Sequence, residues 1–118
     1  MRLRYIGQPE DALAAIEEAA TLYRNLATTR PDTYLPNLAG SLHNRTLRLG
    51  DVGRLEDALA AIEEAATLYR NLATTRPDTY LPNLERAQEL RIFLQELAEA
   101  RGTLRVRPVA NRAAGPAM

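Results

Sequence analysis

The chain has no cysteine, which removes a disulfide framework, a thiol nucleophile and a thiolate metal site at once. Aromatic residues are scarce, 5% against 46% hydrophobic residues in all, so the core must be built mainly from alanine and leucine, which favours closely packed helices. Acidic and basic residues balance at 15 each. That balance takes away the electrostatic case for nucleic acid or an anionic membrane surface as partner. One histidine supplies too few nitrogen donors for a metal site. No apolar run approaches the ~18 residues of a membrane span, and the N-terminus lacks the apolar core of a signal peptide. The chain therefore reads as cytoplasmic and soluble, with no cofactor and no metal. Lysine is absent as well. With so much alanine, the all-arginine usage reads as codon bias in a GC-rich genome rather than the demand of any one site.

What is present is a repeat. The segment EDALAAIEEAATLYRNLATTRPDTYLPNL occurs twice without a change, from Glu10 to Leu38 and from Glu56 to Leu84, at an offset of 46 residues. A period of that size marks an array whose units bury their apolar faces against one another. At 118 residues the chain has room for one modest core, with about 60–70% of its extended surface buried.

Within the repeat, Ala12, Ile16, Ala19 and Tyr23 form one helical stripe and Leu13, Ala20 and Ala27 another beside it. Ala58, Ile62, Ala65, Tyr69 and Leu59, Ala66, Ala73 repeat both. A broad apolar arc of this kind suits a helix gripped from two sides. Arg30 and Arg76 read as last-turn residues suited to the negative helix end, with Pro31 and Pro77 as stops. Asp32 and Thr33 then read as cap-type residues, with Pro36 tolerable only in a first turn. Leu35, Leu38, Leu42 and Leu49 mark a shorter helix, interrupted on that face by Arg45. Gly50 and Gly53 read as helix stop and tight turn.

The expected order is helices at about 9–30, 34–49, 54–76 and 80–101, forming a domain over 1–101. A disordered basic tail follows at 102–118. No stretch alternates as a strand, so the fold class is all-α. At the front, Arg2 and Leu3 align with Arg48 and Leu49, so the chain begins in the last turn of a helix whose body is missing. At the back, Gln88 replaces Leu42 and Gln95 replaces Leu49, while Ala87, Leu90, Leu94 and Leu97 form a new stripe. That shift predicts a capping helix with one wetted face.

With Gly53 in the place of the turn glycine, the pattern resembles the tetratricopeptide repeat family. Its slots hold Leu42, Leu49, Gly53, Leu55, Ala58, Ile62 and Ala65, closing at Pro77 after a lengthened second helix. The unit exceeds the usual ~34 residues and is similar to the elongated, kinesin-light-chain-like variety of bacterial arrays. The resemblance covers residues 2 to about 86. Arg45 stands where leucine is usual, and Thr46 where glycine or alanine is. It implies antiparallel helix pairs in an α-solenoid of about two units, serving as a non-enzymatic protein–protein interaction scaffold for a protein or peptide ligand. By resemblance His43 lies on the concave face with Gly40, Leu47 and Gly50. The offset adds Glu89 and Phe93 to that surface. If the Leu90, Leu94, Leu97 stripe sets the rotation of the last helix instead, Phe93 is buried.

Other constellations carry less. Ser41, His43 and Asp51 invite a triad, but residues two apart on a helix point ~200° apart. Glu17–Glu18 and Glu63–Glu64 diverge by ~100° and read as solvated faces. Tyr23 and Tyr69 sit on matching helices and Tyr34 and Tyr80 at matching loop positions, as boundary packing. The tail residues Arg105, Arg107 and Arg112 could touch an acidic partner. The alternative function follows from the missing first helix. Ala12, Ile16, Ala19 and Tyr23 lack their cover, so an edge piece of a larger signalling or sensor protein would self-associate there as a homodimer.

Overall fold

The computed structural model describes residues 8–102, and over them the fold is all-α. Four helices follow in chain order: α1 (Gln8–Ala27), α2 (Pro31–Asp51), α3 (Leu55–Ala73) and α4 (Pro77–Ala100). Each packs on its neighbours in sequence. The three-residue turns make successive helices antiparallel, and the contacts agree: Tyr23 near the end of α1 stacks on Tyr34 at the start of α2. The expected tail and the residues before Gln8 lie outside the described residues.

Helix boundaries are set by threonine and proline, not where the sequence reading put them. In the first turn, Thr28 Oγ1 donates to the carbonyl of Asn25 (2.7 Å) and Thr29 Oγ1 to that of Leu26 (3.3 Å). Thr74 and Thr75 repeat this at Asn71 and Leu72. The same carbonyls also accept backbone N–H groups of the turn, Asn25 O from Thr28 and Leu26 O from Thr29 and Arg30, so the hydroxyls add a second bond at the ends of α1 (Ala27) and α3 (Ala73). Pro31 and Pro77 then open the next helices instead of stopping the last ones. A first helical position needs no N–H, and the proline ring presets φ.

Several expectations shift with those boundaries. Arg30 and Arg76 are N-cap residues at φ −133°, driven from the helical region by the proline that follows. The last-turn bases are Arg24 and Arg70. Asp32 and Thr33 do not cap, and neither N-cap side chain makes a capping bond. Pro36 and Pro82 lie inside their helices, where each withholds a donor from the residue four before it, the exposed Asp32 or Asp78. Tyr34 and Tyr80 are helical rather than in loops. With 21 residues, α2 is no shorter than the 20-residue α1.

The turn after α2 depends on glycine for its conformation. Gly53 has φ +81°, its N–H donates to Gly50 O, and Arg54 N–H reaches back to Leu49 O at 2.9 Å. That pair of bonds is a Schellman closure, which puts the left-handed residue just past the helix. Gly102, just past α4, takes the same left-handed region at φ +75°. Gly50 is not a stop. It lies within α2, and a Cβ there would be in ordinary contact with the Leu94 side chain at 3.7 Å.

The core runs along α3 in two joined clusters. One gathers Leu38, Ala39 and Leu42 of α2 with Ile62, Ala65 and Tyr69 of α3. The other gathers Leu13, Leu49, Leu55, Ala58 and Leu94. Thr46 is fully buried, but its hydroxyl donates to Leu42 O at 2.8 Å, so it enters the core with its polar group satisfied. Arg45, which breaks the leucine stripe, reaches Glu17 of α1 at 3.2 Å.

The two sequence copies differ sharply in burial. Ala58, Ile62 and Ala65 are fully buried, while Ala12, Ile16 and Ala19 are only half-buried. Leu22 and Leu26 are 57% and 42% exposed, whereas their twins Leu68 and Leu72 pack on the core. Truncation should therefore read out position, not sequence. Ile62→Ala should cost about 2–5 kcal/mol, and Ile16→Ala on the order of 1 kcal/mol or less. Urea unfolding of the two variants checks this, provided the slope with denaturant stays constant.

Candidate interaction surface

The residues that the sequence placed on one face come from α2 and α4, and α3 holds those two helices side by side. On α2, Gly40, His43, Leu47 and Gly50 recur at steps of three and four and so form a single stripe. A Cβ on Gly40 would meet the Tyr69 hydroxyl at 3.9 Å, and one on Gly50 would meet Leu94. The stripe therefore borders the seam between α2 and α4.

On α4 the leucine stripe and the exposed phenylalanine coexist. Leu94 is buried and Leu90 and Leu97 are half-buried, as a stripe that sets the rotation requires. Phe93 is nevertheless 58% exposed. The two expectations are compatible because Phe93 lies ~100° round the helix from Leu94, at the rim of the seam. Leu47 is 39% exposed and Glu89 is exposed. Of the five residues proposed for binding, His43 and Gly50 are half-buried, and Gly50 lies against the Leu94 side chain.

Leu47 has a second neighbourhood. Together with Asn44 and Arg48 it borders a shallow pocket closed on the other side by Ala12 and Ile16 of α1. The Nε of Arg48 is buried there without a hydrogen-bond partner, although its Nη2 pairs with Asp51 at 3.3 Å. Thus Leu47 stands between the α2–α4 seam and the open side of α1.

Two polar residues of this surface were missed in the sequence. Arg86 lies close enough to His43 to repel its proton. With the Asn83 amide turned to suit its neighbours, its nitrogen donates to Thr79 O at 3.0 Å and its oxygen accepts from Arg86 Nη2 at 3.1 Å. Tyr69 belongs to the same group, near Asn83 and Arg86. Burial pushes its phenol up from the ordinary value, and Arg86 partly offsets that. The signal for Arg86 was available: by the 46-residue offset it is the partner of Gly40, which was already on the stripe.

Burial, and then the charge of Arg86, holds His43 below its ordinary pKa of 6.5. The sign for stability follows. Below pH 6.5 the unfolded chain takes up the proton before the folded one does. The contribution of His43 to stability is therefore present above that pH and declines as the pH falls towards the lowered value. As the only histidine, it gives one unambiguous ring signal by NMR. That signal should titrate below 6.5, and Arg86→Ala should move its midpoint upward while burial keeps it below the ordinary value.

Comparison with family models, with curated proteins and with solved structures finds no match. Among the described residues, no helix is long and apolar enough to cross a membrane.

Proposed function

We propose that this chain is a helical-repeat scaffold of the tetratricopeptide type that holds a protein or peptide ligand without catalysing a reaction on it. The single observation that supports this reading is the surface along α2 and α4, where Leu47 and Phe93 are large, apolar and exposed beside the polar group of His43, Arg86 and Asn83. Aromatic and aliphatic anchors next to a few fixed polar groups are what peptide recognition needs. The arrangement of α1 to α4, each long helix followed by a partner that the next unit also uses, supports the repeat-array part of the reading. An α-solenoid and a cytoplasmic setting belong to the same proposal.

His43 and Arg86 give the surface a preference. Both are basic, so a ligand carboxylate placed between them would relieve their mutual repulsion and raise the pKa of His43. Glu89, exposed one turn before Phe93, would discourage a second acidic group nearby.

The test is a peptide array probed with the full chain, followed by titration of the best binder. Replacing Leu47 and Phe93 together by alanine should weaken that binder at least tenfold. Because both side chains are exposed, helicity should be retained and each truncation should cost only about 0.5 kcal/mol of stability. Retained binding in the double variant, or marked destabilisation, would remove this face from the ligand surface.

A further inference from the structure

α1 and α3 share one sequence from Glu10 and from Glu56 onward, and over that length the main difference between them is the helix before each, so α3 shows which face of α1 is left without cover among the described residues. The helix that follows α1 is α2, and the helix that follows α3 is α4. That shared relation buries the same stripe in both: Leu13, Ala20 and Ala27 in α1, and Leu59, Ala66 and Ala73 in α3. The residues buried in α3 but not in α1 must therefore be covered by what precedes α3, namely α2 with α1 behind it. Ala61 is 2% exposed and Ile62 is fully buried, whereas their twins are exposed (Ala15) and half-buried (Ile16).

The cover is visible too. Over α3 lie Leu38, Ala39, Leu42, Thr46 and Leu49 of α2, all buried. They form a pattern of leucines at i, i+4 and i+11 with small side chains at i+1 and i+8. We propose that the open face of α1 is a docking site for an amphipathic helix of this pattern. Another polypeptide supplies it, lying antiparallel to α1 as α2 lies to α3. This site lies on α1 and adjoins the α2–α4 surface at Leu47, which borders both, but its argument does not rest on the function assigned to that surface.

A second copy of the chain supplies the pattern poorly. Its own α2 is already buried, and among the described helices α4 is the one with no following helix packed on it. At the matching positions α4 carries Leu84, Glu85, Gln88, Ile92 and Gln95. Docked on α1, Glu85 would fill the place of the fully buried Ala39, taking a carboxylate out of water without a partner. Gln88 and Gln95 would replace two core leucines. Those substitutions disfavour head-to-tail growth.

Charge adds a second requirement on a larger partner. Glu64 of α3 receives Arg24 of the preceding long helix at 2.6 Å. Its twin Glu18 is exposed and, among the described residues, has no such ion pair. A partner that brings a second helix behind the docked one, as α1 lies behind α2, should carry an arginine there positioned to reach it; the docked helix alone does not need one.

The probe is a labelled peptide with the sequence of Pro31–Asp51, added to the full chain and followed by fluorescence anisotropy. It should bind saturably, and Leu42→Gln with Leu49→Gln in the peptide should weaken binding at least tenfold. In the protein, Ala15→Glu should do the same. Ala15 is exposed, so this change leaves the fold intact, and circular dichroism verifies that. Ile16→Glu is the second variant. On binding, hydrogen exchange should slow in α1 between Ala12 and Tyr23. Absence of saturable binding would overturn the proposal, as would binding indifferent to Ala15→Glu, which would mean that the peptide had displaced α2. A homodimer that sedimentation shows to be broken by Ala15→Glu but not by the peptide would also overturn it, since the face would then belong to a second copy.

Discussion

The constraint on which the rest of the structure depends is that α3 must be covered on two sides. A helix made of alanine, leucine and isoleucine over so wide an arc cannot present that arc to water at a cost of roughly 25 cal/mol per Å2 of apolar surface. With only α4 packed on it, the seam of Ala58, Ile62, Ala65 and Tyr69 would stay wet. With only α2, Leu59 and Ala66 would. The short turns follow from this need, because α2 and α4 must arrive antiparallel at once on either side. The alanines follow as well: Ala58, Ala65 and Ala39 have no exposed surface at all, and larger residues there would hold the helices apart.

Seen from that seam, the polar exceptions have causes. Thr46 takes a fully buried position on α2 and returns its hydroxyl to its own helix. Arg45 can break the leucine stripe because the position faces α1, where Glu17 receives it. The exposed ion pairs that tie the helices together, Arg24 with Glu64 and Arg45 with Glu17, set register more than stability, since each is screened by water.

The number of helices, their order and the faces they bury could all be read from the duplicated segment, because burial on two sides leaves a wide apolar arc that composition cannot hide. The helix ends could not. Pro31 can either follow a helix or begin one, and the sequence around it permits both. In the structure Pro31 takes the first position of α2, and the last carbonyls of α1 are closed by turn N–H groups together with the Thr28 and Thr29 hydroxyls. That hydrogen bonding is a three-dimensional matter. The candidate surface was partly legible: the resemblance placed Gly40, His43, Leu47 and Gly50 on one stripe and the offset added Glu89 and Phe93, but neither drew attention to Arg86, whose nearness to His43 depends on how α2 and α4 pack on α3.

An exact internal repeat makes the molecule its own control. Normally the contribution of a neighbour to burial must be inferred from a different sequence, with differences in propensity and side-chain size mixed into the result. Here the residue and its local sequence from Glu10 or Glu56 onward are held fixed, the start of the following helix is shared as far as Leu38 or Leu84, and the largest change is the preceding helix. Ile62 loses all contact with solvent and Ile16 does not. The difference between them measures what a neighbouring α2-type helix does, apart from anything the isoleucine brings. It also explains why the two ends of the chain diverge. The α4 end carries Gln88, Gln95 and Glu85 where α2 carries Leu42, Leu49 and Ala39, so its outer face is made to meet water. From Glu10 onward α1 carries the interior sequence of α3, and that shared sequence is the ground for the proposed helix docking on its outer face.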